Sequence, residues 1–306
     1  VTWRFRCEDA ACVVRTPPAE TISPTAHRGI ERESTVLRAV EGHVRAPRVL
    51  AWGDDDAVIG RPFLVLECID GIAISDTLPH AYEDPRDAAN RLGFELMDQL
   101  AAIHHVPCDG EALSGLGKRG HFLQRQVSRW LSVRHDSAVR DLPGLFRLGQ
   151  WLLDHLPPET EPALIHGDYH LDNTLASPQR PEILAVIDWE LATIGDPYTD
   201  LGLALMLWGN RRTAEPPAFP KLQAVSRLDG VVDRHALAQH WSERTGRTLE
   251  HIDYYMAYAF WRLAAIVEGA YCLYVDGKVS SDYARDLEYN VPALLSEAER
   301  ASHGDW

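Results

Sequence analysis

A carboxylate and a carboxamide lie five positions apart in the segment 164–175, at a spacing that could support metal-assisted group transfer. Asp168 follows a short apolar run at residues 163–165, and Asn173 lies at the far side of the loop that begins there. An aspartate at the end of a strand can accept or orient the proton of a hydroxyl group. The side-chain oxygen of asparagine is a ligand of the kind that Mg²⁺ prefers. The pair therefore predicts a loop that orients a hydroxyl group beside a metal ion.

A second carboxylate, Asp188, comes fifteen residues after Asn173, at the end of another apolar run at residues 183–187. Such a carboxylate can bridge metal ions to nucleotide phosphates. The tripeptide 166–168, His-Gly-Asp, is weak evidence by itself because Gly-Asp is also a common turn. The two motifs in this order, each after an apolar strand, favour one shared phosphoryl-transfer site over two unrelated polar turns.

Short strands around one helix are predicted for the first 70 residues, where β-rich stretches alternate with turn residues. Glu8-Asp9-Ala10 predicts a hairpin turn, and Ile69-Asp70-Gly71 predicts a linker. The predicted strands cover residues 1–6, 11–15, 48–52 and 62–68, and the predicted helix covers residues 26–40.

Helical periodicity dominates after residue 85, interrupted by the two short apolar runs that precede the polar motifs and by a proline-rich loop at residues 213–228. A chain of 306 residues exceeds the roughly 250–300 at which single cores tend to split, so two lobes are expected. We predict an α+β fold. Its small β-rich N-lobe, residues 1–69, would bind nucleotide, and its larger helical C-lobe, residues 70–306, would carry the catalytic loop, the metal site and the acceptor site.

The chain resembles the aminoglycoside phosphotransferase and choline kinase-like enzymes, and in particular the kinase domains that accompany acyl-CoA dehydrogenases. The resemblance covers residues 1 to about 274. It rests on residues 13–18, Arg32-Glu33, residues 62–67 with Gly71, residues 125–130, 166–173, 187–190 and 195–202. It implies a protein-kinase-like two-lobed fold, with ATP held between the lobes together with Mg²⁺.

The resemblance also implies roles for the residues that would act on the phosphates. It implies that Asp168 is the catalytic base and that Asn173 and Asp188 are the magnesium ligands. Arg15 occupies the position at which kinases usually place a phosphate-binding lysine, with Glu33 as its helix partner, although the two could also form an ordinary surface ion pair. His170 lies where many kinases place a cation facing the transferring phosphate, and the alternative is a solvent-facing loop histidine.

The resemblance also implies an adenine pocket. Leu175 would form its floor and Val13 its roof, and the backbone from Glu67 to Ile69 would hydrogen-bond the adenine edge. The family's glycine- and serine-rich phosphate loop precedes a strand like residues 1–6, and we expect the native protein to supply that loop upstream of residue 1.

Asp200 is predicted to brace the catalytic loop through backbone N–H groups or through His166. Asp196, before Pro197, resembles a residue that caps a turn.

The composition of the chain limits the classes of partner that we expect. A formal net charge of −15 disfavours nucleic acid and anionic membranes as partners. The partner that the resemblance implies is a small-molecule hydroxyl substrate. The five cysteines are scattered and lack metal-ligand spacing, which argues against a disulfide framework or a zinc site. No apolar run approaches the roughly 18–20 residues that span a bilayer, and the first residues do not read as a basic-then-apolar leader, so a cytoplasmic location is expected. The oligomeric state stays open.

Two classes of acceptor are compatible with the sequence, an aminoglycoside and a hydroxyacyl group. The hydroxyacyl group could be a free acid or a CoA thioester. The helix predicted at residues 252–274 bears only two carboxylates beside five aromatic side chains, which favours an apolar acceptor if one edge of the helix lines the site. Most such stripes are core. The aromatic residues are Tyr254, Tyr255, Tyr258, Phe260 and Trp261.

Two other functions remain as alternatives, a nucleotide-binding pseudokinase and a protein kinase. The retention of Asp168, Asn173 and Asp188 argues against the first. The second is disfavoured because residues 188–190 run almost directly into residues 195–197, which leaves no activation loop.

Overall fold

The computed structural model describes residues 1–7, 10–17, 24–110, 113–118, 120–209 and 223–306. The predicted turn at residues 8–9 and most of the predicted loop at residues 213–228 lie outside these ranges. The strands are β1 (Thr2–Cys7), β2 (Ala10–Arg15), β3 (Val49–Gly53), β4 (Phe63–Glu67), β5 (Ala163–Ile165), β6 (Thr174–Ala176), β7 (Ile183–Val186) and β8 (Thr193–Gly195). The helices are α1 (Pro24–Val40), α2 (Asp56–Ile59), α3 (Pro85–His104), α4 (Phe122–Asp136), α5 (Pro143–Asp154), α6 (Tyr198–Leu207), α7 (Arg234–Thr245), α8 (Ile252–Val275) and α9 (Asp282–Ala301).

The first four strands form one antiparallel sheet in the order β1-β2-β4-β3. In its centre Val13 pairs with Leu66 and Arg15 pairs with Leu64, and because Val13 and Arg15 are two positions apart, both face the same side of the sheet. Leu64 and Leu66 are buried on one side, where α1 contributes the buried Leu37. The sheet and α1 together therefore share one apolar core.

Helices make up most of the remainder, and two short antiparallel pairs, β5-β8 and β6-β7, lie among them. Leu92, Leu96 and Leu100 recur at helical spacing on α3, and each is completely buried. Helix α8 packs against α6 and α9. Within the described ranges no helix is both long and apolar enough to cross a membrane.

The sheet region is anchored to the helical region by backbone hydrogen bonds. Ile72 and Ala176 exchange both of their N–H···O bonds, at 2.9 and 2.8 Å, five residues after β4 ends at Glu67. On the other side, the Val186 N–H donates to the Arg45 carbonyl at 2.7 Å. The predicted boundary between residues 69 and 70 falls just before the first of these contacts and stays a prediction.

The aromatic residues of α8 are core. Tyr254, Tyr255, Tyr258, Phe260 and Trp261 are all at least 94% buried. Polar atoms of three of them are used internally: the Tyr254 hydroxyl donates to Leu152, the Trp261 indole N–H donates to Leu145, and the Tyr255 hydroxyl donates to Asp196. The interpretation of this aromatic stripe as core is therefore confirmed for these five residues, although Tyr258 also borders a cleft beside Gly167.

Candidate active site

The β6-β7 hairpin brings the metal-ligand candidates together. Asn173 immediately precedes β6 and Asp188 lies two residues after β7. Thr174 pairs with Val186, and the Ile187 N–H donates to the Asn173 carbonyl at 2.9 Å. The fifteen-residue spacing in the sequence is thus the length of one hairpin, whose two open ends carry the two candidate ligands.

Asp188 adopts a left-handed backbone conformation, with φ of 69°. This conformation is uncommon for residues other than glycine, and it concentrates at functional sites where surrounding structure enforces it. The enforcing contacts come from Trp189, which is completely buried and whose indole N–H donates to the Val186 carbonyl at 3.0 Å. The turn therefore holds the Asp188 carboxylate at a fixed place beside the hairpin.

The loop that carries Asp168 is fixed from behind by a buried carboxylate. Asp200 accepts hydrogen bonds from the backbone N–H groups of His166, at 2.6 Å, and Gly167, at 2.9 Å. The His166 ring nitrogen Nε2 lies 2.9 Å from the Ile187 carbonyl, and burial lowers the pKa of His166, so a neutral imidazole donates there. The prediction that Asp200 braces this loop is confirmed.

Asn173 binds Asp168 through its nitrogen. Its Nδ2 donates to the Asp168 carbonyl at 2.8 Å and to the Asp168 carboxylate at 3.2 Å. Because the amide nitrogen is spent on this loop, the amide oxygen is the atom that can face a cation. Asparagine and aspartate oxygens are hard ligands, so Asn173 together with Asp188 fits Mg²⁺, which is commonly held by one or two protein side chains plus phosphates and water.

His170 lies between two carboxylates. Its Nε2 is 3.7 Å from Asp168 and its Nδ1 is 3.4 Å from Asp172. Although burial opposes it, these two ion pairs raise the pKa of His170 to about 9, so the ring is an imidazolium at neutral pH. Burial likewise opposes the ionisation of Asp168, but His170 and Asn173 outweigh it and hold the pKa of Asp168 below its ordinary value. His170 is thus a half-buried ion-pair partner.

Arg15 forms ion pairs with three carboxylates, of which Glu190, 3.8 Å from Nη2, is the most distant. Nη1 lies 2.5 Å from Glu33, the partner predicted for it, and Nη2 lies 3.0 Å from Asp188. Glu33 is 1% exposed, and burial together with the charges of Asp188 and Glu190 outweighs Arg15 and raises the pKa of Glu33 to about 7. The same carboxylates raise the pKa of Arg15, although burial opposes this, so the guanidinium stays charged.

A cleft of about 330 Å³ lies between the sheet and the β6-β7 hairpin. It is lined by all eight residues predicted to bind nucleotide or metal, which are Val13, Arg15, Glu33, Glu67, Ile69, Asn173, Leu175 and Asp188. Its lining combines apolar side chains, among them Leu66 and Leu175, with the charged side chains of Arg15, Glu33 and Asp188, which suits a base and its phosphates. The Glu67 N–H already donates to the Arg48 carbonyl at 2.9 Å, so a base contact at this residue would use its carbonyl oxygen.

Three features of this site have no recognisable signal in the sequence. The Arg15–Asp188 contact joins residues far apart in the chain, and the Asp172 carboxylate is paired with His170. The third feature is a group of cationic side chains beside Gly167. None of these has a characteristic spacing, because each depends on how separate elements meet.

Comparison with known proteins identifies the family to which the chain belongs. The sequence profile of the phosphotransferase enzyme family matches residues 2–219. The chain belongs to this family. It is 33% identical over 292 residues to acyl-CoA dehydrogenase family member 10 of Mus musculus, a match that covers 93% of this chain and 26% of that protein. The chain thus spans about a quarter of the length of this relative.

Two solved structures share the fold. A candidate aminoglycoside phosphotransferase from Ralstonia eutropha has a TM-score of 0.84 at 31% identity, covering 99% of this chain and 89% of that one. The GDP and kanamycin complex of an aminoglycoside phosphotransferase has a TM-score of 0.64 at 17% identity, covering 98% and 93%. The predicted protein-kinase-like fold, with a small β-rich N-lobe and a mainly helical C-lobe, is confirmed.

Proposed function

We propose that the protein transfers the γ-phosphate of ATP to the hydroxyl group of a small molecule, with Mg²⁺ as cofactor. One observation carries the proposal. Asn173 and Asp188 meet at the open end of one hairpin, in the cleft that also contains Arg15, while Asn173 itself binds Asp168. The arrangement supports a phosphotransferase, in agreement with the family.

In the proposed reaction, each residue acts mainly by position and charge. Asp168 is ionised and accepts the hydrogen bond of the acceptor hydroxyl, which orients that oxygen toward the phosphate. Asn173 and Asp188 would hold Mg²⁺, which would neutralise charge on the phosphates. Arg15 contributes fixed positive charge and two donor nitrogens to the nucleotide phosphates.

The imidazolium of His170 lies next to Asp168 and keeps that carboxylate ionised. A carboxylate with a lowered pKa is a weak base, so its contribution is to orient the hydroxyl and to accept the proton late in the reaction.

A hydroxyacyl group is the acceptor we propose, in preference to an aminoglycoside. The proposal is supported by the similarity to acyl-CoA dehydrogenase family members, which extends over most of this chain. The aminoglycoside alternative is supported by the names of the structural neighbours. The buried aromatic residues of α8 support neither.

An ATP-consumption screen over amino sugars, hydroxy acids and hydroxyacyl-CoAs tests the proposal, with the Asp168→Asn variant as the background control. Hydroxyacyl-dependent ATP consumption that the variant lacks is expected. Turnover with kanamycin-type amino sugars alone would overturn the acceptor and leave the phosphotransferase standing. Nucleotide binding without turnover of any acceptor would instead indicate a pseudokinase.

A further inference from the structure

A second cleft, of about 310 Å³, lies on the other side of the catalytic loop and is lined by five cationic side chains. We call it the cationic cleft. It is bordered by Gly167, the residue before Asp168, and shares no lining residue with the nucleotide cleft. Its cations come from α1, the segment before α4, α4 and α8: Arg32, Lys118, Arg125, Arg129 and Arg262.

No carboxylate lines the cationic cleft, and across the described ranges none of its five cations forms an ion pair with an acidic side chain. This is unexpected in a chain with 45 acidic and 30 basic residues, where a random surface patch would be acidic. A concave surface of one charge sign focuses the electrostatic field and attracts the opposite charge. The cleft is therefore built for an anion and would repel an ammonium group.

The N–H donors of the cleft differ in whether they already form hydrogen bonds within the protein. Arg125 donates to the carbonyls of Gly120 and Lys118, and Arg32 donates to that of Ala192, so these two also hold the walls. Arg129 is exposed, and its guanidinium lies over the Trp130 ring at 5.6 Å. Its N–H donors are available to a ligand.

Arg262 ties the cleft to the catalytic loop. Its Nη2 donates to the Gly167 carbonyl at 3.2 Å, one residue before Asp168. Its Nε is buried and has no hydrogen-bond partner within the described residues, and buried donors of this kind usually have a partner or a functional role. An anion bound beside Arg262 would thus lie close to the residue that orients the acceptor hydroxyl.

The cationic cleft continues into a third cavity of about 230 Å³, with which it shares Lys118, Phe122 and Ile194. Leu156, Pro157 and other apolar residues line much of this extension, together with Glu159 and Asp196, whose carboxylates accept hydrogen bonds from the His121 N–H and the Tyr255 hydroxyl. Positive charge beside apolar walls suits a ligand that carries both an anionic group and a hydrocarbon chain.

We propose that the cationic cleft binds a carboxylate or phosphate group of the acceptor, with Arg129 and Arg262 as the principal donors. This inference rests on the proposed function, because it assigns the cleft to the acceptor of that reaction. Arginine suits the role because its planar fork of N–H donors matches the oxygens of carboxylates and phosphates. The acceptor is then an anionic hydroxy compound and not a polycation.

Three probes that share one hydroxyl group test the charge requirement: 3-hydroxybutyryl-CoA, 3-hydroxybutyrate and the neutral 3-hydroxybutyramide. Calorimetric affinities are measured for the wild type, Arg129→Gln and Arg262→Gln, with Arg38→Gln, an exposed arginine of α1 outside the cleft, as the matched control. We expect at least one charged probe to bind about tenfold or more tightly than the amide, and each cleft variant to lose about tenfold for that probe. Arg38→Gln should lose nothing. Binding of the CoA ester alone would assign the site to phosphate, and binding of the free acid would assign it to carboxylate.

The site would be overturned if neither charged probe bound better than the amide, or if Arg129→Gln, at an exposed position that folding tolerates, left the affinity for the charged probes unchanged. Because calorimetry measures binding without turnover, it tests the anion site independently of the proposed phosphotransferase activity. Charge-selective binding without phosphorylation of any probe, and without turnover of any acceptor in the ATP-consumption screen, would overturn the phosphotransferase and leave the anion site. Phosphorylation of the amide as efficiently as the acids would overturn the anion site and leave the phosphotransferase.

Discussion

Arg15 and Asp188 are 173 positions apart in the sequence, yet the Arg15 Nη2 atom lies 3.0 Å from the Asp188 Oδ1 atom. The other guanidinium nitrogen, Nη1, binds Glu33 on α1. One side chain of the N-terminal sheet therefore links the helix beside it to the candidate metal ligand at the β6-β7 hairpin. A lysine could not make both contacts with separate, fixed donors, because its single ammonium is a point charge.

We therefore expect Arg15→Lys to lower kcat/KM for ATP about tenfold, through poorer placement of charge against the phosphates. Steady-state kinetics and calorimetric nucleotide binding measure the effect. The matched control is Arg147→Lys, at an exposed ion pair with Glu299. Wild-type kinetics in Arg15→Lys would show that the two-nitrogen contact has no role in the reaction.

Asp168→Asn should reduce turnover by roughly 100-fold or more and leave nucleotide affinity and folding nearly unchanged. The reason is that Asp168 accepts from Asn173 and pairs with His170 but does not line the nucleotide cleft. Asp172→Asn, in the same loop, should cost less than about tenfold. If Asp168→Asn retained turnover within a few-fold of the wild type, another group would have to orient the hydroxyl.

Asp188→Ala should weaken magnesium-dependent nucleotide binding as well as turnover, since its carboxylate is expected to join the metal to the phosphates. Calorimetric titration with ATP at several Mg²⁺ concentrations is the measurement. Glu190→Ala is the control, because this carboxylate is nearby, 3.8 Å from Arg15, but lies outside the cleft lining. Unchanged metal dependence in Asp188→Ala would assign the metal to other ligands.

The strands of the N-terminal sheet were predicted to within one residue at each end from β-rich runs and turn residues. Residues 63–66, for example, are a continuous apolar run, and they lie in β4. The strands at residues 163–165 and 183–187 were also predicted, but the pairing of the second with Thr174–Ala176 was not, because a strand of three residues has no recognisable periodicity. Local pattern determines the predicted strands, so one sequence is sufficient to find them.

Which face of a helix is buried in the core could not be predicted as reliably. The aromatic stripe from Tyr254 to Trp261 is compatible with a ligand wall or a core, and only the positions of α5, α6 and α9 place it in the core. The cationic cleft is the reverse case. Arg32, Arg129 and Arg262 lie on three different helices, and nothing in their sequence neighbourhoods indicates that they share a cavity.

His170 should make the stability of the protein depend on pH in a defined window. Its ordinary pKa is 6.5, and the ion pairs with Asp168 and Asp172 raise the pKa in the folded protein to about 9. The folded state therefore holds a proton that the unfolded state releases between these two values, so the stabilisation is fully present below pH 6.5 and is lost as the pH rises through 9.

We expect His170→Gln to reduce the free energy of unfolding most at pH 6 and hardly at all near pH 9.5. Denaturant unfolding of both proteins across this range measures the difference, with His43→Gln, at an exposed position, as the control. A difference between wild type and His170→Gln that stayed constant from pH 6 to pH 9.5 would mean that the ring is held by packing and not by its charge.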